Sequence, residues 1–269
     1  MTDGSIDLNV EVAHSARMYD YLLGGKDNSP ADREAAEKSL AAFPSLRKAA
    51  RANRDFMCRT TRFVARQGVR QFLDIGTGIP TEPNLHQIAQ SVAPDSRVVY
   101  VDNDRFVMAH ARALMIGTEQ GRTAYVRADL TDPSAILSAD DLRDTLDLSR
   151  PVAVSLIAVL HFIVDDVADL VSTLIDPLAS GSYLTISHVT TDLDQGAGAP
   201  GVGGAIDVYK KSGIRTVART REQMAGLFAG LDLVDPGIAP ISRWHPVGIE
   251  PPHSHDTAIA LLGGVGVKR

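Results

Sequence analysis

The sequence predicts an α/β protein: a mostly parallel sheet of seven strands behind an N-terminal helical cap. Three observations lead there. No strand pattern precedes Val69, whereas residues 14–67 keep helical spacing almost without interruption. From position 71 onward, short apolar strands alternate with helical stretches, an order that gives crossovers and parallel pairing. The first of these strands, in QFLDIGTGIP (71–80), runs straight into a turn with two glycines, Gly76 and Gly78.

Taken in order, HSARMYDYLL (14–23) places Met18, Tyr21 and Leu22 on one helical stripe and stops at Gly24-Gly25. Ser29-Pro30 reads as an N-cap and first helical position, with Asp32 as the capping-box acid, and Pro44 ends that helix. Ser45 is expected to cap a longer helix closed by Gly68. Strands are then expected at 71–75, 97–101, 123–128, 152–157 and 182–187, with helices at 81–92, 105–117, 134–146 and 165–179. TDLDQGAGAPGVGG (191–204) reads as a glycine-rich mobile loop, followed by a helix near 219–229. LDLVDPGI and TAIALLGGV are expected to close the sheet as a hairpin, with a turn at Asp235-Pro236-Gly237. The whole of 1–269 reads as one domain, a cap over 1–68 and an α/β core over 69–269.

Composition narrows the function. A net charge of −6 and a pI near 5.7 give no overall attraction to nucleic acid or anionic membrane. Cys58 is the only cysteine, which excludes an intrachain disulfide and a cysteine-cluster metal site. The longest apolar run, PVAVSLIAVLHFIV, is too short to span a bilayer, and the polar N-terminus is unlike a secretory signal. The expected location is therefore cytoplasmic. Homo-oligomerisation stays open.

The chemistry gathers at strand ends. Paired glycines after a buried strand let a ligand lie against bare backbone, beside the free N–H groups of a helix start. Asp74, Asp102 and Asp129 close three successive strands, where an open parallel sheet binds its ligands. Asp102 stands roughly 24 residues after Gly78, the spacing of a carboxylate that holds two ribose hydroxyls. Asp129 is placed to accept from the exocyclic amine of adenine. Singly, each acid reads as a cap or turn residue; together with the glycines they point to a nucleoside-containing cofactor.

Several blocks then resemble a known family: ARMYDYLLGGKDN (16–28), QFLDIGTGIPT (71–81), RVVYVDNDRFVMAHARAL (97–114), AVLHFIVDD (158–166) and GSYLTISH (181–188). DPGI (235–238) and the RWHP around Trp244 extend the likeness. They are similar to an actinobacterial family of S-adenosyl methyltransferases, long a domain of unknown function, within the Rossmann-like class I methyltransferases. The resemblance implies S-adenosyl-L-methionine as cofactor and methyl transfer to an unidentified acceptor, most simply a small molecule. It implies that Asp74, Gly76 and Gly78 lie near the methionine moiety and adenosine. Asp102 would hold the ribose with Asn103 beside it, and Asp129 with the backbone of Leu130 would read adenine. Ala158 and Val159 would offer carbonyls to the cofactor's ammonium. Pro80 replaces the third glycine usual in the wider class.

Two alternatives stand beside this reading. An NAD(P)-dependent oxidoreductase would need a glycine where the chain has Thr81. A non-catalytic S-adenosylmethionine- or nucleotide-binding module would share the motifs without turnover. On the acceptor side, the resemblance places His161 just after the fourth strand, as a general base or an acceptor-positioning group, ahead of His188. The cap is expected to fold over the strand ends, with Tyr19 facing the sulfonium and Gly24 and Gly25 permitting close approach. His253 and His255 read as loop residues rather than a metal pair, and no metal is expected. The arginines at 47–54 read as a solvated helix face, and Trp244 as either pocket lining or loop packing.

Overall fold

Adjacent residues Phe72 and Leu73 enter two different apolar clusters, as the two-residue period of a strand requires. They belong to β1 (Gln71–Ile75), which stands in the middle of the sheet. The computed structural model describes residues 10–193, 201–246 and 253–269, the side chains of 253–255 excepted. On one side of β1 lie β2 (Arg97–Asp102) and β3 (Arg122–Arg127), and on the other β4 (Ala153–Ile157) and β5 (Tyr183–Val189), all parallel. The short β6 (Leu231–Leu233) and β7 (Ala239–Pro240) share one edge of β8 (Leu261–Lys268), which runs antiparallel to β5. Strand order is β3-β2-β1-β4-β5-β8-β6, so it reverses between β1 and β4. That reversal opens a crevice at the carboxyl ends of the strands.

The helical cap comes first. In α1 (Ser15–Leu23), α2 (Pro30–Ala42) and α3 (Leu46–Arg66), the apolar stripes meet around Met18, Leu22, Ala36 and Ala50. Asp32 completes the expected capping box with Ser29, and also accepts from the His14 N–H and from Arg17 Nε at 2.8 Å. It thus ties α1 to α2 as well as starting α2. Ser45 makes no side-chain cap, contrary to expectation, because its backbone is not extended there (ψ 1°). One sheet face is covered by α3, α4 (Leu85–Val92) and α5 (Arg105–Leu114). The other carries α6 (Pro133–Ser138), α7 (Asp140–Arg143), α8 (Ala168–Ile175) and, beyond α9 (Gly201–Lys211), α10 (Arg221–Gly226).

Two expectations change. The glycine-rich stretch was expected as loop through 204, yet Gly201 already starts α9, which packs on α2 and buries Val202 and Ala205. Tertiary burial there overrides poor helix propensity; residues 194–200 lie outside the described residues. The closing strand was expected from 257, but α11 (His253–Ile259) occupies that stretch and β8 begins after Ala260, whose φ is 52°. Among the described residues no helix is long and apolar enough to cross a membrane.

Candidate functional site

A cavity of about 440 Å³ lies over the carboxyl ends of β1 to β4 and under α1, α3 and α9. It brings together Tyr19, Asp74, Gly76, Gly78, Asp102, Asn103, Asp129, Leu130, Ala158, Val159 and His161. Gly24, Gly25, His188 and Trp244 are not on its wall.

The first turn is built by close approach. Gly76 sits at φ 75°, and a Cβ there would lie 2.4 Å from Cγ2 of Val159. The bare Cα therefore lets the loop after β4 pack directly against the loop after β1. The Gly76 N–H donates to the Val101 carbonyl at 2.8 Å, and the Gly78 N–H donates to Asp102 Oδ2 at 2.9 Å. Asp102 Oδ1 accepts from the Asp104 N–H at 3.0 Å. Burial pushes the Asp102 carboxyl up, while these two N–H donors pull it back. Each oxygen keeps a further acceptor direction, which suits a pair of hydroxyls.

Asp74 is pushed up to about 7 by burial; the Arg54 guanidinium works against that rise and Asp102 adds to it. Asp129 is pulled upward by burial but held below the usual range by the Thr131 N–H, the Asn103 amide and the Thr131 hydroxyl. Asn103 donates to Asp129 Oδ2 at 2.9 Å, so these two site residues form one unit.

The exit of β4 carries the site's backbone strain. Ala158 has φ 52°, a conformation that costs a non-glycine residue free energy and marks over-determined sites. Its N–H donates to Ser187 Oγ at 3.0 Å, the Ser187 hydroxyl donates to Asn53 Oδ1 at 2.6 Å, and the Asn53 amide donates to the Tyr19 oxygen at 3.1 Å. The Tyr19 hydroxyl then donates to the Ala50 carbonyl at 3.0 Å. A buried chain of hydrogen bonds so joins the cap to the loop after β4. At the other side of α1, His14 Nδ1 lies 3.2 Å from Asp104 Oδ2, tethering the helix over the end of β2.

His161 follows in a short 3-10 turn and is 9% exposed. Its Nδ1 is buried without a hydrogen-bond partner. Burial, with His188 and Arg219 nearby, holds it well below the ordinary histidine range, so the ring is neutral. His188 is fully engaged: Nδ1 lies 2.7 Å from the Val189 carbonyl and Nε2 lies 2.8 Å from Arg219. Burial pushes it down to about 4. Arg219 also donates to the carbonyls of Leu160, Ile163 and Asp165, at 2.9, 2.9 and 3.0 Å. It clamps the turn that carries His161.

Some placements depart from the sequence reading. Gly24 caps α1 in the left-handed conformation, and a Cβ on Gly25 would lie 1.9 Å from Asp20; the pair serves the end of α1 rather than the cavity. Arg54 does not lie on a solvated face: it points at the Thr81 and Pro83 carbonyls and lines the cavity. Trp244 is fully buried, edge-on to Phe56 and Phe63, and so packs the core. Among the described residues no histidine, cysteine and carboxylate cluster is arranged for a metal ion; the side chains of His253 and His255 lie outside the described residues. Asn53, Arg54 and Arg219 went unrecognised in the sequence. Each is a polar residue in a helical or loop stretch whose partners, side-chain hydroxyls for Asn53 and mainly backbone carbonyls for the arginines, lie far along the chain.

Where a dinucleotide site needs a glycine beside the pyrophosphate, the Thr81 carbonyl receives Arg54 instead. An open sheet of this strand order, with a glycine turn after β1 and a buried acid closing β2, is the arrangement of the Rossmann-like class I methyltransferases. The chain belongs to the S-adenosyl methyltransferase family, whose model matches residues 1–269. A DUF574 family protein from Streptomyces avermitilis is 48% identical, with a TM-score of 0.93 over 97% of this chain and 100% of that one. A candidate methyltransferase from Thermobifida fusca is 36% identical, with a TM-score of 0.89 over the full length of both. The plantazolicin methyltransferase BpumL, in complex with S-adenosylhomocysteine and a triazolic desmethylPZN analogue, shares the fold at 12% identity and a TM-score of 0.52, over 94% of this chain and 96% of that one. No curated protein matches the chain. The enzyme is thus a methyltransferase, and the nicotinamide alternative falls away.

Proposed function

We propose that this methyltransferase acts on a small-molecule acceptor, with the cofactor in the crevice after β1 to β3 and the acceptor beside His161. The observation that carries the assignment is Asp102: a buried carboxylate at the end of β2, fixed by two backbone N–H groups and still able to accept two hydroxyls. In this reading Asp102 holds the ribose, and the Asn103–Asp129 unit with the Leu130 backbone meets adenine. Asp74, Gly76 and Gly78 border the amino-acid end, where the Ala158 and Val159 carbonyls accept from the ammonium and Tyr19 covers the sulfonium. When bound, S-adenosylmethionine supplies a methyl group activated on a sulfonium.

The protein's own contribution is alignment, dryness and one hydrogen-bond acceptor. The strained Ala158 turn and the Asn53 chain fix the loop after β4, and orientation of this kind contributes on the order of 7–11 kcal/mol. Burial keeps the His161 ring neutral, which weakens it as a base and suits it to accept a hydrogen bond that positions an acceptor hydroxyl or amine. The acidic composition and single cysteine fit a cytoplasmic enzyme working as one folded unit.

Calorimetry with S-adenosylhomocysteine and with NAD tests the cofactor assignment. Binding of the first and not the second is the expected result; NAD binding alone would overturn it.

A further inference from the structure

The cavity is divided by charge. Its carboxylates stand at the carboxyl ends of β1 and β2 and just after β3, and Arg54 stands on α3. Around His161 the wall is Phe162, Ile163, Val202, Ala205, Ile206 and Tyr209, with no acid, lysine or arginine among them. The Phe162 and Tyr209 rings lie nearly parallel, 28° apart in plane and 6.2 Å between centroids. His161 meets the Phe162 ring at 4.3 Å. Arg219, which clamps the His161 turn, is directed at backbone carbonyls and His188 and is not on the cavity wall.

From this geometry we infer the acceptor class: an uncharged, flat aromatic molecule bearing a hydroxyl, packed against the Phe162–Tyr209 pair with the hydroxyl toward His161. The inference rests on the methyltransferase reading of the same cavity and deepens it. A carboxylate, phosphate or ammonium here would lose hydration against a stretch of wall that offers it no charged side chain. An aromatic face instead meets two rings, in the offset or edge arrangements that aromatic pairs favour. Two polar atoms wait for a partner. His161 Nδ1 is buried and unpaired. The Tyr209 hydroxyl, held neutral by burial, makes no hydrogen bond among the described residues. A total volume of about 440 Å³ is at the small end for ligand pockets, so the acceptor beside the cofactor is compact.

The test uses the full chain saturated with S-adenosylhomocysteine, titrated with 2-naphthol and with its charged isostere 2-naphthoate. Binding of S-adenosylhomocysteine is measured first; its absence would sink the cofactor reading itself. With that ligand bound, 2-naphthol is expected to bind at least ~10-fold more tightly than 2-naphthoate, given the uncompensated charge of the latter. Phe162→Leu and Tyr209→Phe should each weaken 2-naphthol several-fold while leaving S-adenosylhomocysteine affinity unchanged. Equal or tighter binding of 2-naphthoate would overturn the inference while leaving the cofactor reading intact. So would 2-naphthol failing to bind the loaded protein, or binding both variants as well as the native chain.

Discussion

Gly76→Ala is the substitution whose cost the structure states most directly. An alanine at φ 75° carries a left-handed penalty of roughly 1–2 kcal/mol. Its Cβ would also stand 2.4 Å from Cγ2 and 2.7 Å from Cβ of Val159, closer than real contacts allow. Val159 belongs to the loop pinned by Ser187 and Arg219, so it has little room to retreat. Overpacking of that kind adds roughly 1–3 kcal/mol, for a total of about 2–5 kcal/mol. The two terms separate in a double-mutant cycle. In a Val159→Ala background the two Cγ atoms are gone while the 2.7 Å approach to Cβ remains, so the cost of Gly76→Ala should fall in part, a coupling of about 1–2 kcal/mol. Urea unfolding followed by circular dichroism measures each corner of the cycle. S-adenosylhomocysteine calorimetry on the same proteins should show weaker binding in Gly76→Ala and partial recovery in the double variant. Additivity within roughly 0.5 kcal/mol would refute the claim that bare backbone at 76 exists to admit Val159.

Four further outcomes follow. Asp102→Ala should weaken S-adenosylhomocysteine binding by ~1.5–3 kcal/mol with an unchanged circular dichroism spectrum, and native-like affinity by calorimetry would remove Asp102 from the ribose site. Asp74 has a folded-state value of about 7 against an ordinary aspartate near ~3.9, so its stabilising contribution is present below about pH 4 and lost as pH rises through 7. Relative to Asp74→Asn, the native protein should therefore lose stability between those limits, and a pH-independent difference in urea midpoints would contradict the burial argument. Arg219→Lys cannot span three carbonyls, and at ~1.5–3 kcal/mol for each lost charged hydrogen bond it should destabilise the fold, with residues 158–165 exchanging amide hydrogens faster. Asn53→Ala leaves buried hydroxyls of Ser187 and Tyr19 short of a partner, a loss of ~1–3 kcal/mol in urea unfolding that a mere surface asparagine would not show.

What the sequence made legible, and what it hid, divides along a physical line. Alternation of apolar strands with helices is a local signal, so the parallel sheet and the cap could be read directly, as could the capping box at Ser29 and Asp32. The polar residues at strand ends were legible for the same reason: a glycine turn and an acid gain meaning from their distance to a strand that is itself visible. Asn53 and Arg219 had no such anchor. Asn53 lies on α3 and meets Ser187 at a separation of 134 residues, and Arg219 meets Leu160 at a separation of 59. No periodicity encodes a side chain whose partner is a remote hydroxyl or a backbone carbonyl. Helix α9 was hidden differently, since Gly201, Gly203 and Gly204 argue against a helix until α2 supplies the surface it covers. This asymmetry has a functional consequence. The cofactor half of the cavity is assembled from strand ends with local signatures, whereas the acceptor half is assembled from α9, Arg219 and the turn it clamps. On the proposed reading the acceptor half is free to change while the sheet stays the same, and chemistry around Phe162 and Tyr209, rather than the glycine turn, would set which molecule receives the methyl group.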